Sequence, residues 1–367
     1  MKVAIIGAGI SGLSCAHEFK RNGIIPTIFE ESSSIGEASD FQTAVLRSFA
    51  FPRFQDPLKV LEKVYNISIS YQFPLKTLAA HSPNKKVYSS NGNLGYIFKR
   101  GLAKDSVENQ LARAVSLPIQ FNSRVEINYI NNDFDYIIVA TGTGIIANRF
   151  NIFKPTFDAQ VRIAAISGDF NTNTLCSWWN NVYCKNGYAY LLPYSPQEAR
   201  LILGVNGIAG NELDHYWKKF IDIENIKYDI KSTKDMNHIF GFVDPIQIGK
   251  IYFVGGAGGF IDDMLGFGMI KSIMSGVTAA RAIINNYDYQ TEMTPILKEL
   301  KKIHEFRTGF NSLDHKSKDL FLAFSHLPPI KLLTYNNPFF RYTQLTVLAR
   351  IYNYFWRRKK KAIETGL

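Results

Sequence analysis

The sequence predicts an α/β protein in which a discontinuous parallel-sheet domain is interrupted by a mostly β insertion and followed by a helical C-terminal segment. Three observations predict it. Residues 2–30 read as strand, glycine-rich turn, helix and strand; two later apolar strands, at Tyr136–Ala140 and Ile251–Val254, each run into glycines; and the stretches between are rich in aromatic and β-branched residues.

Taken in order, the first unit is KVAIIGAGISGLSCAHEFKRNGIIPTIFE. Val3 to Ile6 form an apolar β-branched run, Leu13, Ala16 and Phe19 recur at helical spacing, and Gly23 ends the helix before the next strand. Gly7, Gly9 and Gly12 make a GxGxxG pattern at the strand-to-helix turn. The first glycine permits the tight turn, the second lets backbone approach a pyrophosphate, and the third lets helix and strand pack closely. Glu30 follows 18 residues after Gly12, placed to accept hydrogen bonds from ribose hydroxyls. This is the fingerprint of a Rossmann-type dinucleotide site, and the glutamate disfavours a 2′-phosphate. A helix is expected around Asp105 to Ala114, and a long one from about Leu265 to Ile284. Residues 60–95 and 150–245 read as β. The expected division is therefore 1–60, 96–150 and 245–288 for the nucleotide domain, 61–95 and 151–244 for the substrate domain, and 289–367 for a helical basic tail.

Composition narrows the function. The 367 residues are 46% hydrophobic, enough for a sizeable core. Net charge is +11, but residues 290–367 hold 14 basic and 6 acidic side chains, so the body is near neutral. Without a recognised binding module, that distribution argues against nucleic acid. The three cysteines, Cys15, Cys176 and Cys184, form no CxxC pair, and HExxH is absent, so no metal site is expected. The chain opens on an apolar strand without a basic leader, and no apolar run reaches the roughly 18–20 residues that span a bilayer. The expected location is cytoplasmic, peripheral at the membrane.

Two further segments carry a resemblance. ATGTG from Ala140, with Thr141 and Gly142, and IYFVGGAGGFIDDMLGFGMIKSIMSGVTAARAI from Ile251 resemble the second and third characteristic segments of the FAD-dependent oxidoreductases of the geranylgeranyl reductase and aromatic hydroxylase superfamily. The later segment is most similar to the geranylgeranyl reductase branch. The resemblance implies FAD as cofactor, with Gly255, Gly258 and Gly259 flanking ribityl and pyrophosphate and Gly266 and Gly268 beside the flavin. YIFKRGLAKDSVENQL from Tyr96 resembles the family's Arg-containing helix start, which implies Arg100 as an FAD contact. GYAYLLP, Gly187 to Pro193, resembles the YxWxFP end of the family's substrate signature, implying that Tyr188, Tyr190 and Pro193 line a prenyl cavity. Trp178 and Trp179, just upstream, are candidates for the same wall.

Two departures stand out. Where the family has Gly-Asp, with the Asp on the ribityl chain, this chain has Gly255-Gly256, and where a proline precedes the flavin-facing loop it has Asp263. The loss is expected to weaken FAD binding unless Asp262, Asp263 or water replaces the carboxylate. No proton-transfer constellation is legible: the seven histidines are scattered, and the catalytic residues stay unassigned.

In the tail, Leu345, Leu348, Ile351, Tyr352, Phe355 and Trp356 recur at helical spacing before five basic residues, Arg357 to Lys361, the pattern of an interfacial helix on anionic lipid. The resulting expectation is an FAD-dependent reductase of carbon–carbon double bonds in an isoprenoid or lipid substrate. Having one nucleotide fingerprint, it would take electrons from an external donor, NAD(P)H or a redox protein. An FAD-dependent monooxygenase and a non-redox dinucleotide-binding scaffold at the membrane remain open beside it.

Overall fold

Two sheets organise the protein in a computed structural model that describes residues 1–37, 41–50, 55–84 and 86–325. In chain order the elements begin β1 (Val3–Ile6), α1 (Ile10–Arg21), β2 (Thr27–Phe29), β3 (Gln42–Leu46), α2 (Arg47–Ala50), α3 (Pro57–Tyr65), β4 (Phe73–His81), β5 (Val87–Lys99) and α4 (Val107–Val115). They continue β6 (Ile119–Gln120), α5 (Ile127–Ile130), β7 (Tyr136–Val139), α6 (Ile145–Arg149), β8 (Phe153–Ser167), β9 (Thr174–Trp178), α7 (Asn181–Cys184), β10 (Tyr188–Pro193) and β11 (Glu198–Asn206). The last are α8 (Leu213–Glu224), β12 (Asp229–Val243), β13 (Gln247–Ile248), β14 (Ile251–Phe253), α9 (Met269–Asn285), α10 (Tyr289–Asn311) and α11 (His315–Ser325).

The smaller sheet has the order β13-β14-β7-β1-β2-β6, parallel throughout except for the edge strand β13. Its central strands β1 and β7 are apolar on both faces because helices cover both, as a parallel sheet requires. The larger sheet has the order β12-β8-β11-β10-β9-β4-β5-β3 and is antiparallel apart from the β4–β9 pair. It takes in β3 and the whole of β5, which runs through position 95/96.

Alternation along β10 assigns its two faces. Ala189 and Leu191 pack under α8 with Trp217 and Phe220, while Tyr188, Tyr190 and Leu192 point into a cavity. That helix was not expected within the β insertion, although Leu213, Trp217 and Phe220 lie at helical spacing and bury one face, each large side chain contributing roughly 1.5–3 kcal/mol.

Local chemistry sets the helix ends. Asp56 caps α3 by accepting from the Leu58 and Lys59 amides with Pro57 in the first turn, and Ser106 caps α4. Helix α9 begins at Met269 instead of the expected Leu265, because residues 262–268 close a tight loop: the Asp262 carbonyl accepts from Gly266 at 2.9 Å and the Asp262 amide donates to Phe267 at 3.2 Å. The expected C-terminal helices are present as α10 and α11. The aromatic and basic segment at 345–361 lies outside the described residues. Among the described residues no helix is long and apolar enough to cross a membrane, and no group of three or more His, Cys, Asp or Glu could hold a metal ion.

Candidate functional site

The turn between β1 and α1 is built by contacts that only glycine allows. Gly7 has φ +108°, and a Cβ there would lie 2.5 Å from the Ala140 carbonyl; one on Gly12 would lie 2.0 Å from the Gly7 carbonyl. Gly9 differs from both. A Cβ there meets nothing within 4 Å, and Gly9 caps α1 without any side-chain hydrogen bond. The first amides of α1 therefore face open space, with the helix dipole behind them, which is a seat for phosphate. Glu30 accepts from the Ala8 amide at 2.7 Å and from the Ser32 amide at 2.9 Å, fixing the carboxylate at the end of β2 while each oxygen keeps a lone pair for a ribose hydroxyl.

A second helix N-terminus opens on the same space. Gly268 caps α9, again with no side-chain hydrogen bond, and Gly268 and Met269 line the cavity together with Gly9 of α1. The preceding loop is held rigidly. Asp262 Oδ1 accepts from the Leu265 amide at 2.8 Å, the Tyr188 hydroxyl donates to the Leu265 carbonyl, and Arg307 donates to the Met264 carbonyl at 2.8 Å. Arg307 is 3% exposed, also donates to the Asn186 carbonyl, and lies over the rings of Trp179 (5.7 Å) and Phe157 (6.0 Å). Burial pushes the Asp262 carboxyl up to about 6, against the opposing effect of Lys271. Asp263 pairs with His304 of α10, a further clamp on this loop.

Both helix ends border one cavity of about 890 Å³. From the nucleotide turn it passes the 266–268 loop and enters a chamber walled by the larger sheet and closed by α10 and α11. An aromatic series lines it: Tyr190 stacks on Tyr188 at 5.6 Å, Tyr188 on Trp179 at 5.0 Å, and Trp179 meets Phe310 edge-on at 5.5 Å. The indole N–H of Trp179 donates to Ser177 Oγ at 3.0 Å. Two protic groups on the wall, the Tyr190 hydroxyl and the His238 imidazole, have no hydrogen-bond partner among the described residues. Burial lowers the His238 pKa below the ordinary value, so this ring is neutral at pH 7.

The expected site residues divide into two groups. Gly7, Gly9, Glu30, Arg100, Thr141, Gly142, Gly266, Gly268, Tyr188 and Tyr190 all border the cavity, and Arg100 pairs with Glu108 while lying over Phe41. Gly12, Gly255, Gly258, Gly259 and Pro193 do not border it. A Cβ on Gly255 would lie 2.4 Å from Ser11 Oγ, one on Gly258 2.4 Å from the Phe253 carbonyl, and one on Gly259 2.6 Å from the Gly241 carbonyl. These three glycines serve close packing behind the wall. The glycine of this segment that borders the cavity is Gly256.

The departures from the family pattern have a steric counterpart. A Cβ on Gly256 would lie 2.1 Å from the Gly142 carbonyl, so no side chain fits there as the loop stands. Asp262 and Asp263 are buried behind the loop and do not border the cavity, so neither supplies the missing carboxylate. Of the two tryptophans, Trp179 lines the chamber, while Trp178 faces the other side and stacks on His81 at 4.7 Å. Burial pushes the Cys176 thiol up to about 11 and the Cys184 thiol up to about 12, so both stay protonated. Sequence reasoning missed Arg307 and His238. Neither carried a signal that set it apart: Arg307 is one of several cations on the segment that becomes α10, with Lys298, Lys301 and Lys302, and His238 is one of seven scattered histidines.

Two uncapped helix ends, an acidic residue after β2 and an open approach at Gly9 and Gly142 fit a dinucleotide whose second ring system sits at α9, as FAD requires. Residues 2–86 match the model of a family described as FAD dependent oxidoreductase. Solved structures share the fold. A geranylgeranyl bacteriochlorophyll reductase-like protein from Thermoplasma acidophilum is similar with a TM-score of 0.71 and 16% identity, over 92% of this chain and 96% of that one. A flavin-dependent brominase is similar with a TM-score of 0.63 and 13% identity, over 98% and 100%. The p-nitrophenol 4-monooxygenase of Pseudomonas putida is similar with a TM-score of 0.63 and 12% identity, over 90% and 95%.

Proposed function

We propose that this chain, an FAD-dependent oxidoreductase, reduces a carbon–carbon double bond in an apolar, isoprenoid- or lipid-like substrate. One observation carries the reading: the nucleotide cleft and an aromatic, aliphatic chamber are one continuous cavity, so a molecule in the chamber lies against the loop where the flavin end would sit. Bound FAD supplies two-electron redox chemistry there. The protein's part is to bind, orient and exclude water.

In this reading the α1 amides hold the pyrophosphate, Glu30 the ribose, and the α9 amides the pyrimidine edge of the ring, where they stabilise negative charge. Arg100, Thr141 and Gly142 complete the cofactor wall. Tyr188, through its bond to the Leu265 carbonyl, couples the substrate wall to that loop. The aromatic series excludes water from the reacting end. The geranylgeranyl reductase-like structure, similar over nearly its whole length, supports this branch. Electrons would come from an external donor, a nicotinamide or a redox protein, and the 345–361 segment would bring the enzyme to a membrane holding its substrate.

A second reading, an FAD-dependent monooxygenase, is favoured by the fold shared with the p-nitrophenol monooxygenase and the brominase. One experiment separates them. The purified protein is examined for the absorbance bands of flavin and for FAD released by heat, then reduced without oxygen and mixed with a long-chain prenyl alcohol or enone. Anaerobic reoxidation with matching saturation of the double bond supports the reductase. Reduced flavin that persists with substrate until oxygen is admitted, followed by substrate-dependent oxygen consumption and hydroxylation, replaces it with the monooxygenase, and a colourless protein that takes up no FAD overturns both.

A further inference from the structure

We propose that the Tyr190 hydroxyl is the hydrogen-bond donor that fixes one oxygen of the substrate, so that the substrate is an otherwise apolar molecule carrying a carbonyl or hydroxyl where the chamber meets the nucleotide cleft. The proposal rests on the reading of the chamber as a substrate site. Three observations carry it. Tyr190 lies on the cavity-facing side of β10, and its hydroxyl has no hydrogen-bond partner among the described residues, whereas the neighbouring Tyr188 hydroxyl is engaged by the Leu265 carbonyl. It packs in the same cluster as Leu265 and Phe267, which places it at the cofactor loop and not at the closed end under α10 and α11. Leu46, Leu175 and Leu192 pack around its ring, and its polar neighbours are otherwise engaged or can only donate: Ser177, opposite it on β9, accepts from Trp179, the Tyr188 hydroxyl is given to Leu265, and Arg100 is a donor, so the acceptor for its proton is left to the ligand.

A phenol left unpaired in such a wall penalises a pure hydrocarbon and favours an oxygenated one. His238, another protic group without a hydrogen-bond partner among the described residues, lies on β12 beside Phe240 and Phe157, away from the Leu265 and Phe267 cluster. It does not serve the same position.

The test uses the holoprotein and two probes of equal chain length, a long-chain enone and the corresponding alkene, with affinities measured by isothermal titration and by quenching of the tryptophan fluorescence to which Trp179 contributes. Wild-type protein should bind the enone roughly tenfold more tightly than the alkene. Tyr190→Phe keeps the ring and its stacking and should close the gap from both sides, weakening the enone and strengthening the alkene. A purely structural role would move both probes in the same direction. Equal binding of the two probes by wild type, or an unchanged ratio in Tyr190→Phe, overturns the proposal while leaving the reductase reading intact. Failure of both probes to bind FAD-loaded protein overturns both readings.

Discussion

Placing at Gly256 the acid that the resembled family pattern has after the first glycine of this segment should harm this protein. Gly256 is buried, and a Cβ there would stand 2.1 Å from the Gly142 carbonyl, against an ordinary contact of about 3.5 Å. The 141–144 loop would have to retreat by more than about 1 Å. Overpacking of that size costs about 1–3 kcal/mol, which is the expectation for Gly256→Ala. Gly256→Asp adds a carboxylate at a buried position, bringing the loss to about 4 kcal/mol. At about 2 °C per kcal/mol for a chain of this size, the two variants should melt roughly 4 °C and 8 °C below wild type. Because Thr141 and Gly142 border the cavity, FAD affinity should fall at least about tenfold in both. Thermal melts of the apoprotein and fluorescence titration with FAD measure the two effects separately. A Gly256→Asp protein that melts within about 1 °C of wild type and binds FAD more tightly would refute the steric argument, because the loop would then yield freely to an acid that improves the site.

The other expectations concern separate parts of the site. Gly9→Asp should leave apoprotein stability unchanged or slightly raised, since the position is open and Asp caps helices, yet it should weaken FAD binding by roughly a hundredfold or more through charge against the pyrophosphate. Gly12→Ala should do the reverse and cost the apoprotein about 3 kcal/mol, since its Cβ would lie 2.0 Å from the Gly7 carbonyl; equal effects of the two changes in a melt would sink the distinction. Asp262, with its carboxyl raised to about 6, carries a pH signature. The folded state holds a proton that the unfolded state has released, so stability contributed by this group is full below about pH 4, falls as pH rises to about 6, and then levels off. The loss is on the order of 2–3 kcal/mol, and comparing denaturant unfolding of wild type and Asp262→Asn at both ends of that window should show the slope reduced by that amount in the variant. Arg307→Met should cost about 3 kcal/mol by orphaning the Met264 and Asn186 carbonyls, and Arg307→Lys should recover little, because one ammonium cannot span both; full recovery of the melting temperature by Lys would contradict the bridging role.

How much of this was legible from the sequence depended on how local each signal was. The β1–α1–β2 unit and its glycines could be read directly, because turn, helix start and acidic strand end fall within thirty residues, Gly7 and Gly12 have steric reasons within the turn and the adjoining strand, and Gly9 leaves the approach open. The alternation in β10 likewise told which tyrosines share a face. What escaped depends on contacts distant in sequence. Gly255 and Gly259 looked like cofactor contacts by position, yet the atoms nearest them belong to Ser11, more than 200 residues away, and to Gly241 on β12. The attachment of β3 and all of β5 to the larger sheet is a pairing choice that strand composition does not encode. Arg307 reads as an ordinary helical cation until the 262–268 loop and the end of α7 are brought to it.

These long-range contacts also explain how the chain holds a chamber with little polar lining beside a polar cofactor cleft. Of the chamber's lining, which is mostly apolar, the Tyr188 hydroxyl reaches the loop that separates chamber from cleft, and the loop's amides on the cleft side stay free in the proposed reading. The loop is held from behind and from the sides, by Asp262 within the loop, Tyr188 from β10, and Arg307 and the Asp263–His304 pair from α10, while Asp262 Oδ2 and Asp263 Oδ1 stay buried without a hydrogen-bond partner among the described residues. The outside tethers come from β10 and from α10, so the loop is placed by the larger sheet and that C-terminal helix together. The position of the α9 amides therefore depends on α10 as well as on the nucleotide domain. A change in how α10 seats, at a residue far from the cavity, should be read first in the cofactor's absorbance and only afterwards in substrate binding.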